Sequence, residues 1–272
     1  MVTVGKFPAA ALLAASLTLV ALPGATSAQD PMRHVDMSSA DMTQPEMTRE
    51  EVIAVIAASG NRRADLTKKR LSGLDLSGID FKGADLRWAR LNRTTLIDAD
   101  LSDTKLDLAW LIEANLENAN LAKSSLFSAQ MSKAVLRGAR LNGARIVANL
   151  QHADLSGADL RNSDGGADMR NQSMGLMRAI LRSANLDGAN LAGSRLSKAD
   201  VEFASLKNTN LDGADFSDAK LAGADLTGAS VAGTRVAGAD FDSAVLVNLK
   251  HEAELIGLHR ARNLDGALRS QR

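Results

Sequence analysis

From Leu66 to Ile146 a large apolar residue returns at every fifth position: Leu66, Leu71, Leu76, Phe81, Leu86 and so on through Met131, Leu136 and Leu141. Two residues before each, from Ala84 onward, stands a small one, as in Ala84, Ala89, Thr94, Ala99, Thr104 and Ala109. Five residues advance an α-helix by about 500°, which leaves successive leucines about 140° apart, and in a strand of period two they alternate faces. Neither ordinary period buries them together. A chain with two inward positions in every five must turn after each unit, and four turns of about 90° close a square coil of about 20 residues. Coils then stack at the roughly 4.7–4.9 Å spacing of hydrogen-bonded strands. Leucines form internal ladders and alanines fill the narrow corners. A helical bundle is the competing fold, because Ala and Leu favour helices, but this spacing scatters its apolar side.

The beat slips once. Leu150 follows Ile146 by four residues, Leu155 and Leu160 keep the new phase, and by Leu176 the original phase has returned and runs on to Leu246. The irregularity spans residues 147–175, and a bulge or short surface loop is expected within RNSDGGADMRNQSMG, residues 161–175. Loops on rigid scaffolds carry contacts, so a partner-binding loop is the functional alternative. Deleting residues 164–166 is expected to leave the fold intact.

The flanks read differently. Residues 1–28 place Lys6 ahead of an apolar run from Pro8 to Leu22 and end in the small residues Thr26, Ser27 and Ala28, the arrangement of a secretory signal peptide cleaved near Ala28. The run is short for a membrane span, which needs about 20 residues. Export to the periplasm or the medium is therefore expected. Residues 29–47 read as a flexible lead-in. Residues 48–63 predict a short capping helix, with Thr48 as N-cap, Glu51 three residues on and Gly60 as its stop. The repeats occupy 64–249. The tail, 250–272, is expected to cap the far end, either as a short helix or as a degraded final coil, and Leu255, Leu258, Leu264 and Leu268 supply its apolar surface.

Composition narrows the class. Hydrophobic residues make up 45% of the 272, which excludes a typical disordered chain, yet aromatics supply only 3%, so the core is built of small and medium side chains. There is no cysteine, hence no disulfide framework and no thiol-linked lipid.

The unit A(D/N)LXX, seen as ADLSG, ANLEN, ANLDG, ADFSD and ADLTG, resembles the pentapeptide-repeat family over about residues 64–249. The resemblance implies an all-β fold, a right-handed quadrilateral β-helix of about nine coils. Some members of that family resemble duplex DNA in shape and charge and regulate type II topoisomerases; those are acidic cytoplasmic rods. Here residues 64–249 are nearly neutral, with 22 basic and 23 acidic side chains, and an export signal precedes them.

Chemistry is sparse. The Asp and Asn residues before each large position are too regular to mark a catalytic pair, and corner hydrogen bonding is their expected role. His34, His152, His251 and His259 form no ligand motif, and no phosphate-cradling loop or serine triad occurs. No catalytic residue, metal or cofactor is expected. The outer surface offers more. Trp88 lies two residues after Leu86 and points outward; Leu108 stands at the equivalent place one coil later, beside Trp110 and Ile112, with Phe127 near the edge. An exposed apolar cluster with tryptophan marks an interface for a protein partner or for self-association, unless the N-terminal helix folds back over it. A basic section, Lys123, Lys133, Arg137, Arg140 and Arg145, contains no acid between residues 118 and 153, whereas residues 200–249 carry eight acidic against three basic residues, 3 − 8 = −5. Without an aromatic stacking pattern the basic section is a poor nucleic-acid site. The expected function is a noncatalytic exported scaffold; a topoisomerase regulator and an unrecognised enzyme are the alternatives.

Overall fold

A computed structural model describes residues 35–167 and 177–269. The expected signal peptide, 1–28, lies outside them. Parallel bridges join Asp65 to Asp85, Arg70 to Arg90, Asp75 to Thr95 and Asp80 to Asp100, so one coil is 20 residues in four units, and the same spacing recurs along the chain. The large positions, from Leu66 through Leu101 and Leu141 to Leu206, are fully buried, as are the alanines two residues before them.

Backbone hydrogen bonding explains why the unit has five residues. In the unit Asp85–Ala89, the Asp85 N–H donates down to Ala64 O, and those of Leu86 and Trp88 donate up to Lys105 O and Asp107 O, while Ala89 closes the turn onto Leu86 O at 3.0 Å. Only the Arg87 N–H is left over, and Asp85 Oδ1 accepts it at 3.3 Å. The same bond recurs from Thr67 to Asp65, Ser77 to Asp75, Glu117 to Asn115 and Asp187 to Asn185. A short Asx side chain at this position therefore caps the one backbone donor that stacking cannot satisfy. Where serine takes its place, an acid one coil below substitutes: Asp107 accepts from Phe127 N, Asp187 from Lys207 N and Asp212 from Ala232 N.

The slip in the repeat is a paired deletion and insertion at one corner. Bridges span 19 residues from Arg145 to Asp164, then 31 from Asn149 to Ile180, then 20 again from Ile180 to Asp200. At the deletion the turn tightens, with Ala148 N donating to Ile146 O at 2.7 Å in place of the usual four-residue closure. At the insertion Ala167 N still reaches Ser197 O, and Ala179 N still closes onto Gly165 O at 2.9 Å, so the register gains 31 − 20 = 11 residues between Ala167 and Ala179 while the corner's closing bond is kept. This corrects the expected loop boundaries: residues 161–167 belong to the coil, and Gly165 occupies a ladder position. A Cβ there would lie 2.8 Å from Ala179 Cβ and 3.0 Å from Ile146 Cγ1 and Leu196 Cδ2, so Ala179 fills the space a leucine takes elsewhere.

At the N-terminal end, α1 (Ala40–Thr43) precedes α2 (Arg49–Ser59). A capping box forms as the sequence predicts: Glu51 N donates to Thr48 Oγ1 and Thr48 N to the Glu51 carboxylate. Val52 is fully buried in the core cluster, and Arg49 donates to the carbonyls of Asp75 and Ser77. The tail is a further coil in six-residue units. Lys250, Ile256, Arg262 and Leu268 pair with Ser230, Arg235, Asp240 and Val245, each unit carrying one 3-10 turn, and the last pairing joins β1 (Val245–Leu246) to β2 (Leu268–Arg269) in parallel. Of the two expectations for the tail, the helix is not what forms.

Candidate functional site

The third residue of each corner has a positive φ, between 54° and 62° at most non-glycine positions. Glycine, asparagine and aspartate reach this left-handed region at small cost, whereas a bulky side chain there is a genuine outlier. The corner column running through Asp98, Asn118, Gly138, Gly157, Gly188, Asn208 and Gly228 obeys that preference throughout. The diagonally opposite column reads Lys68, Trp88, Leu108 and Ser128, and it is here that the deletion and then the insertion follow, one coil above the other. Trp88 (φ 58°) and Leu108 (φ 61°) remain 42% and 40% exposed. The adjacent column, Arg93, Glu113, Lys133, His152, Ser183 and Phe203, also lacks the preferred residues, but the Trp88 edge sets two large apolar side chains in succession at exposed left-handed positions.

The cluster named from sequence is brought together in part. Trp88 and Leu108 are consecutive on the edge. Trp110 lies on the adjoining flat face, bridged between Arg90 and Gln130, and Ile112 stands at that face's far corner, both half-buried. Because Trp110 occupies the usual Asx position, Ile112 N is capped from the coil below by Asn92 Oδ1 at 3.0 Å. Phe127 sits half-buried beside the edge with the Arg145 guanidinium 4.4 Å from its ring centroid. Lys68 Nζ and Arg87 Cζ lie 5.8 and 5.6 Å from the Trp88 ring, within cation–π range.

The N-terminal arm occupies the lower part of the same face. Asp41 contacts Arg70 at 2.9 Å and Arg90 at 3.8 Å, Glu46 contacts Lys69 at 3.2 Å, and Glu46 N donates to Arg70 O. Met42 is buried, and its carbonyl accepts from Asn92 Nδ2 at 3.2 Å. The arm thus ends one coil below Trp110 and leaves Trp88 and Leu108 open.

The five basic residues are not brought together. Lys123, Lys133, Arg137, Arg140 and Arg145 fall in five different columns around the coil. Lys133 contacts Glu113 at 3.9 Å, and Arg137 contacts Glu117 at 3.0 Å and Asp154 at 3.4 Å. Sequence reasoning passed over Phe203, which is 60% exposed with φ 59° at the other edge of the Trp110 face, its ring over Gly223. The signal was available: Phe203 stands two residues after Val201, as Trp88 does after Leu86.

Several carboxyls are held below their ordinary range by hydrogen bonds: Asp85 by Arg87, Asp159 by Arg161 and Asp65 by Thr67. Among the described residues no group of three His, Cys, Asp or Glu is placed to hold a metal ion, and no helix is long and apolar enough to cross a membrane.

The family model described as pentapeptide repeats matches in eight copies, over residues 62–96, 70–107, 106–143, 148–165, 176–213, 194–231 and 219–250. The chain matches none of the curated proteins. Among solved structures it is similar to HetL, a pentapeptide repeat protein involved in heterocyst differentiation regulation in the cyanobacterium Nostoc, at 31% identity over 81% of this chain and 96% of that one, with a TM-score of 0.48. It is also similar to full-length QnrB1, a plasmid-mediated fluoroquinolone resistance protein, at 21% identity over 72% and 91% of the two chains, TM-score 0.28. A third is a pentapeptide repeat protein from the Arabidopsis thaliana thylakoid lumen, at 30% identity over 54% and 68%, TM-score 0.16.

Proposed function

Because this chain belongs to the pentapeptide repeat family, we propose that it is a noncatalytic exported scaffold whose Trp88 edge binds a protein partner. One observation carries the proposal: Trp88 and Leu108, consecutive in one corner column, are large apolar side chains left exposed in the left-handed region, where the diagonally opposite column keeps Gly, Asn and Asp. Two bulky side chains in the left-handed region cost of order 1–3 kcal/mol each, and exposed tryptophan is enriched at binding hot spots. A cost borne at the surface with no gain in core packing points to contacts made with something else.

The proposal takes residues 1–28 as a signal peptide, 29–47 as the lead-in, 48–63 as the N-terminal cap, 64–249 as about nine coils and 250–272 as the C-terminal cap. Export draws on Lys6 and the apolar run after it. A topoisomerase regulator of the DNA-mimicking kind asks for a continuous acidic face, and the Trp110 face instead carries Arg70 and Arg90.

A photo-crosslinking residue at Leu108, compared with one at Asn208 in the regular column, tests the proposal in the native host. Capture of one partner from position 108 alone is expected. Equal capture from both positions, or from neither, overturns the edge as the binding surface.

A further inference from the structure

Resting on the proposed protein-binding edge, we infer that its partner presents an acidic segment bearing a large apolar side chain. Two observations converge. The first is charge: Lys68 and Arg87 lie against the exposed Trp88 ring and Arg145 against the half-buried Phe127 ring. Arg87 is itself held by Asp85 in a bidentate bond at 2.8 and 2.7 Å, and Asp107 accepts from the Phe127 N–H and the Ser125 hydroxyl, so the charge offered at the Trp88 ring is that of Lys68. The surface therefore offers positive charge and aromatic area together, which favours carboxylates flanking an apolar anchor.

The second observation is that such a segment already lies on the same face. The arm presents Asp41, Met42 and Glu46 in six residues; its carboxylates meet Arg70, Arg90 and Lys69, and Met42 is buried. Asn92 joins this seat to the open surface, donating to the Met42 carbonyl and accepting from Ile112 N, next to Trp110. The arm shows how the face holds an acidic, apolar segment, and Trp110 one coil above, with Trp88 and Leu108 on the adjoining edge, continues that seat.

The test uses the full mature chain and its intrinsic fluorescence, since Trp88 and Trp110 are the two tryptophans in the sequence. The probes are a ten-residue peptide of Asp with interspersed Leu and Met, the same peptide with Lys for Asp, and phosphatidylglycerol vesicles. The acidic peptide is expected to shift tryptophan emission to the blue and to bind at least threefold more weakly after Lys68→Gln, after Leu108→Asn, or on raising salt from about 20 to 300 mM, where the Debye length falls below 10 Å. Equal binding of the lysine peptide, indifference to both substitutions, or a shift with vesicles alone overturns the inference. If position 108 still crosslinks a partner in the host while the acidic peptide fails, only the partner's charge is misassigned; if both fail, the edge itself is.

Discussion

At the scale of single residues the fold is a solution to one leftover donor per unit. Stacked coils satisfy the other backbone N–H groups, and the Asp or Asn before each large residue takes the last, which is why carboxylates recur without any catalytic meaning. At Asp65, Asp85 and Asp159 the pKa is depressed first by side-chain hydrogen bonds from Thr67, Arg87 and Arg161 and then by the backbone cap. The folded state therefore binds fewer protons than the unfolded chain; the stabilisation is fully present above the unfolded aspartate value of about 3.9 and is lost as pH falls through the lower folded values. Thermal melts should be flat from pH 7 to about 5 and fall steeply below about pH 4; a midpoint unchanged at pH 3 would contradict the assignment. The corner preference gives a second prediction. Leu108→Asn places a residue suited to positive φ where leucine is strained, and should gain about 1 kcal/mol, or roughly 2–4 °C in midpoint for a chain of this size. The Asx role was legible from the regularity of the sequence alone. The strain at Trp88 and Leu108 was not, because backbone dihedrals do not show in a hydrophobic pattern.

At the scale of elements, the five-residue period placed the ladders, the coil length and α2 with its capping box correctly, since each depends on residues close in sequence. It misplaced the loop because apolar phase reports a net count of residues. The deletion after Val147 and the 11-residue insertion after Ala167 cancel to two whole units, and Gly165, lacking a side chain, hid a ladder position. Removing residues 168–178 should leave one cooperative unfolding transition, since the Ala179 N to Gly165 O bond already closes that corner. Gly165→Ala should cost about 1–3 kcal/mol by overpacking against Ala179, Ile146 and Leu196; a neutral effect would place the strand elsewhere. The tail was harder to read because its period changes to six, with Leu249, Leu255, Ala261 and Ala267 taking equivalent places packed against the core. Ending the chain at residue 249 would uncover Phe241, Leu246 and a set of strand edges. Sedimentation of that truncated chain should show self-association, and a monodisperse monomer would count against a capping role.

At the scale of the molecule, inside and outside obey different rules. The inside is fixed by ladder regularity, so the repeat sequence made the architecture plain. The outside is fixed by whatever the protein meets. Position two after the large residue marked Trp88 and Leu108 as outward, and the 20-residue coil brought them together, but the basic section from Lys123 to Arg145, contiguous in sequence, is dispersed around the coil by the same geometry. Nor does sequence show that the arm would lie against the Trp110 face through Asp41 and Glu46. The most direct test of a working edge pairs stability with capture in one variant, Trp88→Asn with Leu108→Asn, using the partner crosslinked from position 108. A strained surface kept for binding predicts a melting midpoint equal to or above that of the parent and at least tenfold loss of partner retention. A lower midpoint with retention unchanged would show that these residues serve the fold, and would contradict the account.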